Sequence, residues 1–276
     1  MVVLKRPFAS LAVNLALALT ALVTLFPLAW MVSASLMAPG EASTYPPPLV
    51  PRAPTLANYR LLLAEHGLLR QVANSLVISL LATGLSLAFN LTAGYAFAKL
   101  RFAGRERVFR LVLGGLIVPA QVAMLPLFLM LKEMRLVNSY AGALVPWLAS
   151  VFGIYLVRQY ALAIPDEMLE AARIDGAGEV RIFVSVVLPT LKPIIVTLAV
   201  LTFLGAWNDF MWPLIVLTDH DVQTLPVALA ALSREHVQDA ELMMAGAVVT
   251  VLPVLLLFLA LQRYYVRGLL VGSVKG

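Results

Sequence analysis

Hydrophobic residues in this 276-residue chain form six long runs that are separated by shorter polar segments. Most of these runs contain no charged residue over about 20 positions, the length of helix that crosses the hydrocarbon core of a bilayer. Such lengths favour membrane-spanning helices over the strands and buried helices of soluble proteins. We expect spans near residues 11–33, 72–98, 111–131, 138–157, 194–217 and 242–262. The pattern predicts an all-α integral membrane protein, with residues 1–276 forming one domain of six transmembrane helices.

The first run has a cleaved signal peptide as its alternative interpretation. The apolar core of a signal peptide covers only about 7–15 residues. No charged residue occurs between Arg6 and Glu41, and the apolar part extends from about Leu11 to Ser33. This length favours an uncleaved first helix.

Composition supports the membrane assignment. Hydrophobic residues make up 61% of the chain and charged residues 13%, whereas soluble domains contain roughly 25% charged residues. The net charge of +5 raises the possibility of nucleic-acid binding, but the basic residues form short clusters beside apolar runs rather than one long basic face. The absence of cysteine excludes disulfides, thiolate catalysis and cysteine-ligated metals. We expect membrane lipid as a partner and no nucleic acid.

Lysine and arginine are distributed unevenly between the two sides of the predicted bundle. With both termini in the cytoplasm, the inner segments carry 14 of the 20 basic residues and the outer loops carry six. Cytoplasmic loops are enriched in lysine and arginine in this way. The N-terminus, the C-terminus and the loop 158–193 are therefore predicted to face the cytoplasm.

Loop 158–193 contains a polar stretch with the signals of a short helix. Pro165 suits the start of a helix, Asp166 and Glu167 suit the positive end of its dipole, and Gly176 suits a left-handed residue that stops it. A helix of about ten residues is marginal alone in water. The sequence therefore predicts a helix held by contacts, with another protein as its partner.

The motif in this loop resembles the EAA loop in the membrane subunits of bacterial ABC importers. The resemblance is carried by Glu170-Ala171-Ala172, Asp175-Gly176-Ala177, Phe183, Leu188-Pro189 and Pro193. It implies the type I ABC importer permease fold and a coupling helix that docks in a groove of the cytoplasmic ATPase. The residues implied in coupling are Glu170, Ala171, Ala172, Asp175, Gly176, Ala177 and Pro189.

The similarity extends over nearly the whole chain to the carbohydrate-uptake branch, and particularly to the smaller permease subunit of maltose-type systems. It rests on Asn74-Ser75, Trp207-Asn208, Trp212-Pro213 and the C-terminal segment 272–276. It implies a second homologous permease subunit, two ATPase subunits, an extracytoplasmic solute-binding protein and a sugar substrate. It also implies a multi-pass location in the prokaryotic cytoplasmic (inner) membrane. The tail residues implied to contact the ATPases are Gly272, Lys275 and Gly276.

The chain lacks the glycine-rich loop with lysine and serine or threonine that cradles nucleotide phosphates. We therefore expect no enzymatic activity and no cofactor in this chain, with ATP and Mg bound by the partner ATPase subunits. The three histidines lack metal-ligand spacing, so no metal site is expected. Two alternatives remain for the activity: an intramembrane enzyme using the acidic residues of loop 158–193, and a secondary transporter. Uptake of glycerol phosphate derivatives or another non-sugar solute is the alternative to sugar import.

Two sets of polar residues lie within the predicted spans. Hydroxyl and amide side chains recur on one face of the second span, which suits either packing between helices or lining of a polar pathway. The fifth span carries tryptophans around a carboxylate, which suit a sugar pathway, an interfacial belt or a subunit contact. The candidate pathway residues are Ser79, Thr83, Asn90, Trp207, Asn208, Asp209 and Trp212.

The orientation can be tested by cysteine labelling, because the chain has no cysteine of its own. A single cysteine in place of Ser43 or Ser233 should react with an impermeant thiol reagent added outside intact cells. A cysteine in place of Ser273 should react only after the membrane is permeabilised. The reverse pattern would contradict the orientation derived from the basic residues.

Overall fold

The computed structural model describes residues 7–65, 67–235 and 239–273, and within these ranges it contains helices and no strand. The predicted all-α class is confirmed. The α-helices are Pro7–Ser35, Ala57–Arg60, Leu68–Lys99, Arg105–Gly114, Ala120–Glu133, Tyr140–Leu144, Val151–Leu162, Asp166–Ile174, Glu179–Ile182, Leu188–Thr190, Lys192–Trp207, Met211–Val216, Leu225–Glu235 and Ala240–Ser273. Short 3-10 helices occupy Gly115–Ile117 and Val145–Trp147, and π-helical turns occupy Leu61–Glu65 and Phe183–Val187.

Among the described residues, three stretches of helix are long and apolar enough to cross a membrane as single segments: Val13–Ser35, Leu68–Lys99 and Ala240–Ala260. Three bent pairs of helices raise the number to six if each pair forms one span. The pairs are Arg105–Ile117 with Ala120–Glu133, bent by 104°, Tyr140–Trp147 with Val151–Leu162, bent by 46°, and Glu179–Thr190 with Lys192–Trp207, bent by 80°.

The predicted runs 111–131, 138–157 and 194–217 are therefore not continuous helices. The first is interrupted where Val118 is extended before Pro119, as the proline ring favours. The second is interrupted at Ser150, whose hydroxyl accepts a hydrogen bond from the Gly153 amide and so caps a new helix. In the third run, one helix ends at Trp207 and a new helix begins at Met211. At the first two breaks, a local proline signal and a local capping signal override the apolar length on which the predicted spans rest.

The chain divides into two compact units, and the first comprises Met1–Leu69 with Leu229–Pro253. Its core contains Ala34, Met37 and Ala42, against which Ala240 and Met244 pack. The amide of Ala42 donates a hydrogen bond of 2.6 Å to Glu241 Oε1. The buried side chain of Asn58 donates to the carbonyl oxygens of Ser35 and Met37. These bonds hold the polar segment after the first helix.

The second unit comprises Arg70–Ala228 with Val254–Gly276. At one end of helix Leu68–Lys99, its residues Leu91 and Tyr95 pack with Val157, Leu169 and Ile182. Further along the same helix, a separate cluster surrounds Ile78 and Ala82 and includes Trp212. Helix Leu68–Lys99 thus contributes to both of these clusters.

The contact between helices Leu68–Lys99 and Val151–Leu162 depends on small residues. A β-carbon on Gly94 would lie 2.5 Å from Val157 Cγ1, and one on Gly153 would lie 2.5 Å from Asn90 Nδ2. The Asn90 side chain accepts a hydrogen bond of 2.9 Å from the Ser150 amide and donates one to Ser86 Oγ. Close approach of the backbones therefore allows a buried amide to join the two helices.

Candidate functional site: the docking helix and its attachment

The helix Asp166–Ile174, called the docking helix below, has the termini that the sequence predicts. It follows Pro165 and has Asp166 and Glu167 in its first turn. Beyond its end, Gly176 has a φ of +80°. The Gly176 amide donates to the Arg173 carbonyl, and the Ala177 amide donates to the Ala172 carbonyl, both at 3.0 Å. These two bonds form a Schellman motif, which glycine favours at its left-handed position. The predicted helix and its glycine stop are confirmed.

The two faces of the docking helix differ. Leu169 is 1% exposed and belongs to the core beneath the helix, and Ala172 packs partly against the same core. The opposite face carries residues spaced three and four positions apart, which places them side by side. Its exposed residues are Glu167, Glu170, Ala171 and Ile174. Ile174 is 86% exposed, so this face combines carboxylates, one small residue and an uncovered apolar side chain.

Lys99 attaches the start of the docking helix to the end of helix Leu68–Lys99. Its Nζ donates to the Ile164 carbonyl oxygen and to Asp166 Oδ1, with both distances 2.6 Å. The Lys99 side chain is 7% exposed and that of Asp166 is 73% exposed. The hydrogen bond and the charge of Lys99 hold the pKa of Asp166 below its usual value. The carboxylate therefore stays ionised and accepts from a buried ammonium group.

A second attachment lies near the end of the docking helix. Arg173 Nε donates to Glu179 Oε1 at 2.7 Å, and Tyr95 in helix Leu68–Lys99 donates its hydroxyl to Glu179 Oε2 at 3.2 Å. The hydrogen bond to Glu179 raises the pKa of Arg173. The Tyr95 ring also contacts the Phe183 ring, with centroids 5.2 Å apart. Both ends of the docking helix are thus attached, directly or through Glu179, to the same long helix.

The other predicted coupling residues lie around this helix. Asp175, Gly176 and Pro189 are exposed, and Ala177 is partly buried against the core. A β-carbon on Gly176 would meet nothing within 4 Å, so only the backbone conformation of the chain itself requires glycine there. The role of these residues in coupling stays a prediction.

The acidic residues of this loop do not converge. Glu179 is paired with Arg173, whereas Glu167, Glu170 and Asp175 are exposed. In the part of the chain that the structure describes, no group of three or more histidine, aspartate or glutamate residues could hold a metal ion. The arrangement offers a charged surface rather than an enclosed acid-base pair.

The candidate pathway residues of helix Leu68–Lys99 face the protein interior. Ser79 and Asn90 are 0% and 1% exposed, and Thr83 is half-buried with its hydroxyl donating to the Ser79 carbonyl. Asn90 bonds to the neighbouring Ser150 amide, as described above. Asn90 thus joins two helices, whereas Thr83 bonds within its own helix and the buried Ser79 hydroxyl has no hydrogen-bond partner among the described residues. Lining of a solute pathway by these three residues stays a prediction.

The candidate pathway residues of the fifth run divide between core and surface. Trp207 is fully buried and stacks on Phe203, and Trp212 is 2% exposed and donates its indole N–H to the Gly142 carbonyl at 3.0 Å. Asn208 is exposed, and half-buried Asp209 accepts from the Trp212 amide at 3.4 Å. Only Asn208 and Asp209 therefore present polar atoms near the chain surface. Their contact with a solute stays a prediction.

The N-terminal end of helix Leu68–Lys99 holds the segment that precedes helix Leu225–Glu235. Asn74 Nδ2 donates to the carbonyl oxygens of Asp221 and Gln223, and Ser75 Oγ accepts from the Leu225 amide. Gln71 Nε2 donates to the His220 carbonyl oxygen at 3.2 Å. Asn74 and Ser75 thus have a structural role that the sequence resemblance did not reveal.

The tail residues can be placed only in part. Gly272 lies in helix Ala240–Ser273. Lys275 and Gly276 lie outside the described residues, so the predicted contact of the tail with the ATPases stays a prediction.

Comparison with known protein families matches residues 90–271 to the binding-protein-dependent transport system inner membrane component family. The chain belongs to this family. The match includes the docking helix and both attachments through Lys99 and Tyr95. The resemblance to ABC importer permeases is confirmed, and the chain is a membrane-embedded transport component.

Individual relatives align with this family member over nearly its full length. It is 38% identical over 273 residues to the arabinooligosaccharides transport system permease protein AraQ of Halalkalibacterium halodurans, covering 98% of each chain. It is 30% identical over 273 residues to the sn-glycerol-3-phosphate transport system permease protein UgpE of Escherichia coli O1:K1 / APEC, covering 96% of this chain and 97% of that protein.

The fold matches a solved structure, described as a bacterial ABC transporter involved in the import of the acidic polysaccharide alginate. The TM-score is 0.83 at 22% sequence identity, and the match covers 96% of this chain and 99% of the other. The predicted type I permease fold is therefore confirmed.

The attachment by Lys99 can be tested with two variants of different severity. Lys99→Met removes both hydrogen bonds, whereas Asp166→Asn keeps the ammonium group and its bond to the Ile164 carbonyl. Hydrogen exchange of the amides in residues 165–177 should accelerate strongly in Lys99→Met and less in Asp166→Asn, because a short helix depends on its contacts.

Lys192→Met provides the control. It removes the same positive charge as Lys99→Met, but from an exposed position. Exchange in residues 165–177 should match the wild type in this variant. Equal exchange in all four proteins would show that Lys99 does not hold the docking helix.

Proposed function

We propose that this chain is the permease subunit of an ATP-driven importer that moves a sugar or oligosaccharide across the prokaryotic cytoplasmic membrane by alternating access. The observation that carries the proposal is the alignment with AraQ over 98% of both chains. The exposed and firmly attached docking helix supports it. The remaining parts of the machine are separate chains: a second permease, two ATPase subunits that bind ATP and Mg, and an extracytoplasmic solute-binding protein.

The docking helix is the proposed contact with one ATPase subunit. Its exposed face carries two carboxylates, Ala171 and the uncovered Ile174, so a groove with basic and apolar side chains would complement it. Movement of the ATPase would pull on the helix at both ends. Lys99, and Tyr95 through Glu179, would pass this movement to helix Leu68–Lys99. Coupling then needs no chemistry in this chain.

A second solute class has a specific observation in its favour. The relative UgpE, named for sn-glycerol 3-phosphate, also aligns over nearly the whole chain, although its identity is 30% against 38% for AraQ. The fold is shared by both solute classes, so the difference must lie in polar groups of the pathway and in the binding protein. We favour the sugar because the more similar of these two relatives is named for an oligosaccharide.

The solute proposal is tested in vesicles that contain the complete transporter with its own binding protein. ATP-dependent accumulation of labelled arabinooligosaccharides or other oligosaccharides is expected, and excess sn-glycerol 3-phosphate should not reduce it. Accumulation of glycerol phosphate without sugar uptake would favour the second candidate. Uptake driven by an ion gradient without ATP would contradict the importer itself.

The docking role is tested at Gly176, with Gly178 as the matched control. Both glycines have open space around a new β-carbon, but Gly176 has a φ of +80° and Gly178 has a φ of −72°. Valine at Gly176 is strained by roughly 1 kcal/mol or more and adds bulk beside the docking face. Gly176→Val should assemble with the second permease but lose ATPase copurification and solute-stimulated ATP hydrolysis together.

The same two measurements on Gly178→Val should stay close to the wild type, because its backbone accepts a β-carbon without strain. Full assembly and full stimulation of Gly176→Val would remove the docking helix from the coupling mechanism. Equal losses in both variants would assign the effect to bulk in the loop rather than to the helix stop.

A further inference from the structure

A basic hollow lies where helix Leu68–Lys99 ends and helix Arg105–Gly114 begins. Its lining includes the arginines Arg101, Arg105, Arg107 and Arg110 with Phe102 and Glu106, and its volume is about 510 Å³. We propose that this hollow binds the phosphate headgroup of an anionic phospholipid from the cytoplasmic leaflet. The proposal goes beyond transport and coupling, because it assigns a lipid site to residues outside the docking helix.

The chain neutralises only part of the charge of the hollow. The one carboxylate in its lining, Glu106, pairs with Arg105 at 3.5 Å and with Arg158, which comes from another helix and lies over the Phe109 ring, at 2.8 Å. Among the residues that the structure describes, the guanidinium groups of Arg101 and Arg107 have neither a hydrogen bond nor an ion pair. Two guanidinium groups are therefore available for an anion. A guanidinium group can donate two parallel hydrogen bonds to two oxygens of one phosphate.

Backbone contacts hold the other two arginines in place. Arg105 donates to the Leu100 carbonyl at 3.1 Å, and Arg110 donates from Nε to the Glu106 carbonyl at 3.3 Å. Gly104, with a φ of +79°, forms the turn between the two helices. The hollow is thus built by a defined turn and partly fixed side chains, which lowers the entropic cost of binding.

The surroundings of the hollow favour a lipid over a free anion. Phe102, Val108 and Leu111 are 45%, 44% and 78% exposed, while Phe109 packs inside the protein. Helix Arg105–Ile117 is bent by 104° from the apolar helix that follows it. Basic residues beside exposed apolar residues on a short helix are typical of segments in the membrane interface. A phospholipid can satisfy both groups, with its phosphate on the arginines and its acyl chains on the apolar residues.

The site requires a net negative headgroup such as that of phosphatidylglycerol. A zwitterionic lipid also carries a phosphate, but its ammonium group would lie among arginines. Each basic residue near an anionic surface strengthens binding roughly fivefold. Replacing Arg101 and Arg107 together should therefore weaken binding on the order of 25-fold.

The experiment uses the complete transporter and the double variant Arg101→Gln/Arg107→Gln. Binding of phosphatidylglycerol and of phosphatidylcholine is measured by native mass spectrometry after titration of the delipidated complex. The matched control is Arg181→Gln/Lys192→Gln, which removes the same charge from exposed positions elsewhere in the predicted cytoplasmic segments. Wild type and control should bind phosphatidylglycerol equally and in preference to phosphatidylcholine, and the double variant should lose most of this binding.

Three outcomes would overturn the proposal. Equal phosphatidylglycerol binding by the double variant and the control would exclude the hollow as the site. Full displacement of the lipid by inorganic phosphate at similar concentration would assign the site to a free anion. Loss of ATPase subunits from the double variant with unchanged lipid binding would assign the arginines to an ATPase contact. Lipid binding is measured separately from transport, so a negative result here would not contradict the proposed transport function.

Discussion

The attachment of the docking helix to Lys99 is the contact on which the proposed coupling depends. A nine-residue helix is too short to persist without tertiary contacts, so its position is set by what holds it. Lys99 supplies a nearly buried ammonium group, and a buried cation requires acceptors in fixed positions. The Ile164 carbonyl and Asp166 supply them, and Leu169 fills the core beneath. The docking face therefore cannot shift freely against helix Leu68–Lys99.

That same helix contacts both polar ends of its unit. At one end Tyr95 and Lys99 reach the docking segment, and at the other Asn74 and Ser75 hold the backbone of residues 221–225. Its 32 residues span about 48 Å, which exceeds the hydrocarbon thickness of a bilayer. A continuous helix is stiff because each backbone group along it is hydrogen-bonded. Because no hinge interrupts this helix, a displacement of the docking helix would also move residues 221–225 at its other end.

The sequence predicts best what local chemistry decides. Apolar length identified the helical membrane class, and proline, acidic residues and glycine located the docking helix, because these signals act within a few residues. The bends at Pro119 and Ser150 are not predicted. The length of an apolar run shows that a helix is compatible with lipid, but it does not show the direction of the helix axis. Nothing in the sequence points to Lys99 as the attachment of the docking helix, because its partners Ile164 and Asp166 lie more than 60 positions away. The face that includes Asn90 was identified correctly as a polar face, but sequence alone could not decide between a neighbouring helix and a solute.

The interruption between Trp207 and Met211 bears on the proposed pairing of this chain with a second permease. From Ile194, the helical rise places Trp207, where the helix ends, roughly 20 Å along a hydrocarbon core of about 30 Å. Irregular backbone at such depth is tolerated only where protein or a water-filled cavity covers it. Within this chain Trp212 donates to the Gly142 carbonyl and the Asn208 side-chain amide donates to the Leu204 carbonyl, but Asn208 remains exposed. Lipid offers no hydrogen-bonding partner to an exposed break of this kind, so in the proposed importer the break would face the second permease or the solute pathway. The same backbone constraint that makes the spans helical thus supports the proposal that this chain works together with a second permease.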